Sequence, residues 1–565
     1  MRLLRTRLLL TAAALVTFLA AAPTSHAATF QLIILDGAGE GFNDTTPAAP
    51  VGGNPGTTLG QQRQNVFKAV GNVWGAILPD NVTIRVEARF DPLTPCDSTS
   101  GVLGSAGAIT VAADFAGAPQ PNTLYSIALA NKLAGTDLAT TVNDISARFN
   151  SSVDDGACLG SSGWYYGLDH QEGLDIDLFA VVLHEMGHGL GFQTFTNLST
   201  GAFLSNTPDV FARNMLDNSS GLRWDQMNSS QRKASALHTG LLVWNGPNTR
   251  NAAPQILGHA AFVRVDSPPV IAGDKQYGTA EFGAPAPDPT LQRDVVLVND
   301  GTGTTSDACE TIVNAAQVAG KFALIDRGTC TFLQKAQRAQ AAGAAGVIIG
   351  NNVAGAPPGM SGNDPSIVIP VVSITQSDAT AIKGQLGVGV VASIGVDVAH
   401  LAGADDLNHA KIYAPNPLES GSSANHFDVT ATPDLLMEPF INSSLTSNVD
   451  LTQYVFADIG WLGTTTAVQG GDGPIASRVQ SAPNPFTAST AMRFQLEHGG
   501  KTVVEVFDAR GALVKRLPEA WRPPGPQSVK WDGMDAAGHR APAGVYFWRV
   551  RSESEELIGR MVRVE

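Results

Sequence analysis

The run Val182-Leu-His-Glu-Met-Gly-His-Gly-Leu-Gly-Phe192 carries His184, Glu185 and His188 in a His-Glu-x-x-His pattern. It lies in a segment, Gly173 to Leu190, whose apolar residues Ile176, Phe179, Val182, Leu183, Met186 and Leu190 recur at helical spacing; the helix is predicted to stop at Gly191. Residues four apart share a helix face, so both imidazoles can meet one Zn²⁺ while Glu185 lies beside them, placed to polarise a water at the metal. The apolar stripe around the histidines needs neither of them to close it. The pattern therefore predicts a helix that carries a catalytic zinc ion, with Glu185 as the catalytic base.

Outward from this helix the chain changes its grammar several times. Upstream, Thr29 to Asp36 (TFQLIILD) reads as a buried strand, Leu59 to Leu78 as an amphipathic helix and Val82 to Phe90 as an alternating, half-exposed strand, which together predict an α/β subdomain. Downstream, a region from near Phe262 to near Val398 has its own apolar strands, an Ala-rich helix from Thr331 to Ala342 and turns rich in Gly, Pro and Asp, the marks of an autonomous module. Val468-Gln-Gly-Gly-Asp-Gly-Pro474 reads as a flexible linker by composition. Beyond it, Met492 to Leu496, Thr502 to Phe507 and Val545 to Val550 alternate with period two between turn clusters and predict a small antiparallel sandwich.

A catalytic zinc ion usually takes three protein ligands and leaves a position for water. The compact metzincin pattern would place the third as His-x-x-Gly-x-x-His, and Gly191 fits it, but position 194 is Thr. The remaining candidates downstream are His238, His259, His400, His409 and His426, with Asp209 as a carboxylate option. The stretch Ser422-Ser-Ala-Asn-His426-Phe-Asp, then Asp434-Leu-Leu-Met437-Glu-Pro, then Leu451 to Trp461 ending in Phe-Ala-Asp-Ile-Gly-Trp, resembles the distal zinc-binding half of leishmanolysin-like metallopeptidases. The resemblance implies His426 as the third zinc ligand after an insertion, and Met437 as the Met-turn residue beneath the metal.

Two further resemblances concern the flanking modules. Gly320-Lys-Phe-Ala-Leu-Ile-Asp-Arg-Gly-Thr-Cys330, with Gly343-Ala-Ala-Gly-Val-Ile-Ile-Gly-Asn351 and Ile369 to Ile374, closely resembles the protease-associated (PA) domain, which implies a non-catalytic unit shaping substrate access or partner binding. Asn484-Pro-Phe486, Phe507 to Gly511, Trp531-Asp-Gly533 and Ala543 to Tyr546 resemble the Ig-like domain of flagellar hook-capping proteins and the C-terminal modules of secreted bacterial proteins.

The expected fold class is thus α+β and multidomain: a metzincin-like zinc peptidase core split by an α/β PA domain, plus a C-terminal antiparallel β-sandwich. The expected boundaries are a signal peptide at 1–27, a first peptidase part at 28–261, the PA domain at 262–398, a distal peptidase part at 399–464, a linker at 465–474 and the Ig-like sandwich at 475–565. With these boundaries Cys96 and Cys158 fall in one domain and Cys309 and Cys330 in another, so two intradomain disulfides are expected.

Composition bounds the function. At 565 residues the chain exceeds one domain, and 15% charged residues against a typical ~25% give weakly charged surfaces. The net charge of −15, with no basic run beyond the extreme N-terminus, speaks against a nucleic-acid partner. Arg2, Arg5 and Arg7, the apolar Leu8 to Ala22 and the small-residue site Pro23 to Ala27 read as a secretory signal peptide, the apolar run being shorter than the ~20 residues that span a bilayer. No integral membrane segment is expected after its removal, and the C-terminal module offers a route to the cell surface. The expected activity is that of a secreted zinc endopeptidase acting on a protein or peptide substrate. The rival reading is a catalytically inactive secreted binding or adhesion protein that uses the PA and Ig-like modules.

Overall fold

The strand β1 (Phe30–Ile34) lies parallel to β2 (Ile84–Asp91), and helix α1 (Leu59–Ile77) crosses between them. The Thr58 hydroxyl starts α1 by accepting the Gln61 N–H, and the helix buries Val66, Phe67, Val70, Trp74 and Ile77 against the sheet. Along β2 the side chains of Ile84, Val86, Ala88 and Phe90 point inward in strict alternation. Strand β3 (Gly104–Ala108) and strand β4 (Ile145–Asn150) complete a sheet of order β1-β2-β4-β3. All pairs are parallel except β3, which runs antiparallel to β4 on the edge.

The computed structural model describes residues 27–462 and 479–564, apart from positions 99, 157, 161, 363, 443, 483, 485, 497–499, 509–511, 523–524 and 553–555. The expected signal peptide, but for Ala27, and the expected linker at 465–474 lie outside the described residues. Among the described residues no helix is long and apolar enough to cross a membrane.

Helix α2 (Leu178–Gly189) carries the His-Glu-x-x-His motif and begins five residues later than the expected Gly173. The reason is local: Ile176–Asp177 pair with Trp164–Tyr165 as a short parallel strand, and the Asp177 carboxylate accepts the Phe179 N–H as the helix cap. The helix ends where expected, with Gly191 in the left-handed region at φ 119°.

The inserted module joins the core through a two-stranded stem, His259–Ser267 paired antiparallel with Val391–Leu401. These strands extend three residues beyond each expected boundary. The chain therefore leaves and re-enters the core side by side: Gly258 donates its N–H to Thr432 O at 2.6 Å and accepts the Ala402 N–H at 2.9 Å. Inside the module, strands Leu291–Leu297, Phe322–Asp326, Gly346–Gly350 and Val371–Ile374 run parallel in that order. Helix Phe332–Ala341 connects the second strand to the third, and helix Gln376–Gln385 leads from the fourth into the returning stem strand; each is capped by a threonine, Thr331 and Thr375. The Ig-like module consists of two antiparallel sheets whose inner faces bury Trp531, Trp548, Met492 and Val506. The disulfides are Cys96–Cys158 and Cys309–Cys330, as expected.

Residues after the insertion close the core. Trp461 donates its indole N–H to Leu190 O at 2.7 Å, and Trp74 from α1 donates to Leu183 O at 3.2 Å, so the middle of α2 and the residue after its last turn are held by tryptophans from opposite sides of the insertion. One hydrophobic cluster contains Trp74, Met186 and Phe192 together with Phe427, Met437, Phe456 and Trp461.

Candidate metal centre

His184 and His188 lie one turn apart on α2 and His426 comes from the segment after the insertion, 238 residues from His188 in sequence. Their Nε2 atoms form a near-equilateral triangle: 3.1 Å between His184 and His188, 3.2 Å between His188 and His426, and 3.2 Å between His426 and His184. Three corners of a zinc tetrahedron with Zn–N of about 2.0–2.1 Å stand roughly 3.3 Å apart, so the triangle fits that donor set. Burial pushes the imidazoles down, to about 4 for His184, to about 3 for His188 and well below its usual range for His426. Neutral imidazoles crowded to this distance are donors waiting for a common cation.

The other ring nitrogen of each histidine decides where the lone pair points. Nδ1–H of His184 donates to Leu436 O at 2.7 Å, that of His188 to Phe192 O at 2.8 Å and that of His426 to Ser422 O at 2.8 Å. Three backbone carbonyls thus fix one tautomer for all three rings and turn each Nε2 inward. The carbonyl facing His184 belongs to a tight turn, in which the Leu436 N–H is accepted by the buried Asp450 at 2.5 Å and the Leu435 N–H by Glu438 at 2.9 Å. Met437 completes this turn. It is fully buried, and its sulfur lies so near Gly187, between the two helical histidines, that a Cβ there would sit 2.6 Å from Sδ.

Glu185 occupies the sheet side of α2. It accepts the Ala106 N–H of β3, and Oε2 is buried with no hydrogen-bond partner. Burial raises the carboxyl to about 8, a value that a dication at the triangle would pull down. The neighbouring Gly104 is the close approach that makes room: a Cβ at that position would lie 2.9 Å from both Cγ and Oε1 of Glu185. The carboxylate therefore lies against β3, the edge strand of the sheet.

The remaining sequence candidates lie elsewhere. Asp209 is buried, but its oxygens accept from Thr194 Oγ1 (2.8 Å), Phe195 N (2.8 Å) and Ala212 N (2.7 Å), which makes it the clamp on the turn after α2. His238 bonds Asp217, His400 bonds Asp397 and His409 bonds Asp405, while His259 is exposed on the stem. Asn425 went unmarked in the sequence reading: its Oδ1 accepts the Thr194 N–H at 2.8 Å, at the position where the compact pattern would carry its third histidine. The adjacency to His426 was the available signal. The three orienting carbonyls, being backbone atoms, left no signature in side-chain identity.

Residues 291–382 match the model of the PA domain and residues 482–556 match that of the FlgD Ig-like domain. Among curated proteins, aminopeptidase YwaD of Bacillus subtilis is 41% identical over 92 residues, 16% of this chain and 18% of that protein. An aminopeptidase of Pseudomonas aeruginosa is 60% identical over 52 residues, 9% of this chain and 10% of its own length. A PRADC1-like protein of Drosophila melanogaster is 57% identical over 42 residues, 7% of this chain and 21% of that protein. The chain thus spans less than a fifth of the length of the aminopeptidases it matches. Among solved structures, BSAP, a zinc aminopeptidase from Bacillus subtilis, aligns at a TM-score of 0.19 and 25% identity, over 26% of this chain and 36% of that one. FlgD from P. aeruginosa aligns at a TM-score of 0.13 and 20% identity, over 15% of this chain and 69% of that one.

Proposed function

We propose that the chain is a secreted zinc endopeptidase with a metzincin-like core of the leishmanolysin type, the PA domain inserted between the two ligand-bearing parts. The observation that carries this reading is the triangle of Nε2 atoms 3.1–3.2 Å apart, with an unpartnered carboxylate oxygen of Glu185 beside it. His184, His188 and His426 hold one Zn²⁺, and Met437 forms the floor. When bound, zinc supplies a Lewis acid for the scissile carbonyl and for the attacking water. Glu185 accepts the proton of that water and returns it to the leaving nitrogen, its Oε2 having no other bond to break.

The edge strand supports internal cleavage. Among the described residues β3 has no strand partner on its outer side, so an extended peptide can add to it by main-chain hydrogen bonds beside Glu185, which holds the Ala106 N–H. The aminopeptidase relatives favour a second reading, cleavage from a free amino terminus.

One experiment separates the readings: zinc content, and cleavage of one protein substrate with its amino terminus acetylated and of the same protein unblocked, with and without chelator. One zinc per chain and chelator-sensitive internal cuts support the endopeptidase. Release of residues only from unblocked amino termini supports the aminopeptidase, and bound zinc with no cleavage of either substrate supports a binding protein.

A further inference from the structure

We propose that Asn425 is the positioning residue that locks the third ligand to the first two, acting through the backbone of Thr194. The inference deepens the three-histidine zinc reading and rests on it. His184 and His188 share one helix, so their spacing is set locally, but His426 reaches them only through the fold, across 242 positions from His184. Something must fix the segment 422–426 against the end of α2.

The contact that does so is specific. Asn425 Oδ1 accepts the Thr194 N–H at 2.8 Å, and Thr194 is itself anchored, its hydroxyl bonded to the buried Asp209 at 2.8 Å. Two residues before Thr194, Phe192 offers the carbonyl that orients His188. The turn 192–194 therefore holds one imidazole with a carbonyl and the neighbour of another with an N–H. On the far side, Ala424 adopts a left-handed φ of 57° while fully buried, a conformation that an alanine keeps only where surrounding bonds impose it. Ala424 donates to Tyr413 O at 2.8 Å and Tyr413 donates to His426 O at 2.9 Å, so the strained residue is pinned between partners. Asn425 supplies the bond in this segment that reaches the motif helix side.

The test uses the full chain, with Zn²⁺ competed by a chromophoric chelator and Co²⁺ as the spectroscopic probe. Asn425→Leu keeps the branched shape and removes the acceptor; it should weaken zinc binding by about 10–100-fold, the usual effect of losing an outer partner of a ligand. The visible Co²⁺ bands should shift in the same variant. Asn425→Asp restores an acceptor and should return affinity to within about threefold of wild type. Zinc affinity and Co²⁺ bands unchanged in Asn425→Leu would overturn the proposal, even if the variant melts earlier, because a merely structural asparagine would lower stability without touching the metal. Amide exchange on the unaltered chain gives a second arm independent of variant folding. Thr194 N–H should be protected in the zinc form and lose protection when zinc is stripped, and an unprotected Thr194 N–H in the zinc form would overturn the proposal. Failure of the underlying reading looks different: wild type would hold no zinc, or His426→Ala would bind it as tightly as wild type.

Discussion

Gly187 sits between His184 and His188, and replacing it by alanine sets two effects of known sign against each other. Within a helix Gly→Ala gains about 0.8–1.0 kcal/mol. The new Cβ, however, would meet Met437 Sδ at 2.6 Å and Cε at 3.2 Å, against an ordinary contact of about 3.5–4.0 Å. A methionine on a surface would swing aside. Met437 is fully buried, its carbonyl accepts the Phe427 N–H at 2.8 Å, and the new Cβ already stands 3.8 Å from Trp74, so the roughly 1 Å displacement passes into the turn. Overpacking of this kind costs about 1–3 kcal/mol, which leaves Gly187→Ala a net loss of about 1 kcal/mol. The displaced turn carries the Leu436 carbonyl that orients His184, so zinc affinity should fall as well. Calorimetry on the full chain reads the effect in the transition that added zinc raises, since only the metal-holding part is stabilised by it. In a Met437→Ala background the clash is gone and Gly187→Ala should become stabilising by about 0.5–1 kcal/mol. Equal stabilisation by Gly187→Ala in both backgrounds would refute the placement of Met437 against the helix.

Glu185→Gln should keep one zinc per chain while kcat/KM falls by about 10²–10⁴-fold, and loss of metal in this variant would contradict the assignment of Glu185 as a base that does not ligate. Excising 262–398 and joining the ends with a short Gly/Ser linker should leave a soluble, zinc-loaded core with an altered cleavage profile, because Ala261 and Val396 are already cross-strand partners; an insoluble or metal-free product would show the module to be structurally required. Burial, with Asp434, Asp450 and Asp428 nearby, raises the Glu438 carboxyl from 4.5 to about 8. Its contribution to stability is therefore full below pH 4.5 and is lost as pH rises through about 8, and Glu438→Gln should flatten the fall in melting temperature across that window.

The parts of this protein legible in its sequence are those set by local pattern. Helix α2 and its His-Glu-x-x-His face follow from spacing, and the strand–helix–strand order of the first subdomain follows from a change of period from two to 3.6 and back. The start of α2 is not legible in the apolar spacing, which continues back to Ile176, because the Asp177 carboxylate caps the helix and residues 176–177 pair as a strand. His426 stood out through its resemblance to a known distal segment, not through any spacing, since a contact across 238 positions has no periodicity to betray it. Asp209 showed the opposite failure: a buried carboxylate near the motif is chemically eligible as a ligand, and only the three donors that occupy it reveal a different task.

The long gap between the ligands is less of an obstacle than its length implies. Closing a flexible loop costs entropy that grows only slowly with its length, but here the loop is not flexible at all. The stem strands His259–Ser267 and Val391–Leu401 are neighbours in the module's own sheet, so folding of the module brings residues 258 and 402 together, and Gly258 then bonds both Ala402 and Thr432. From the core's side the insertion acts as a tie of fixed length. The same bonds join the module to the segment that carries His426. Any strain that splays the two stem strands acts on the joint at Gly258 and, through Thr432, on the segment that runs from His426 to the Met437 turn.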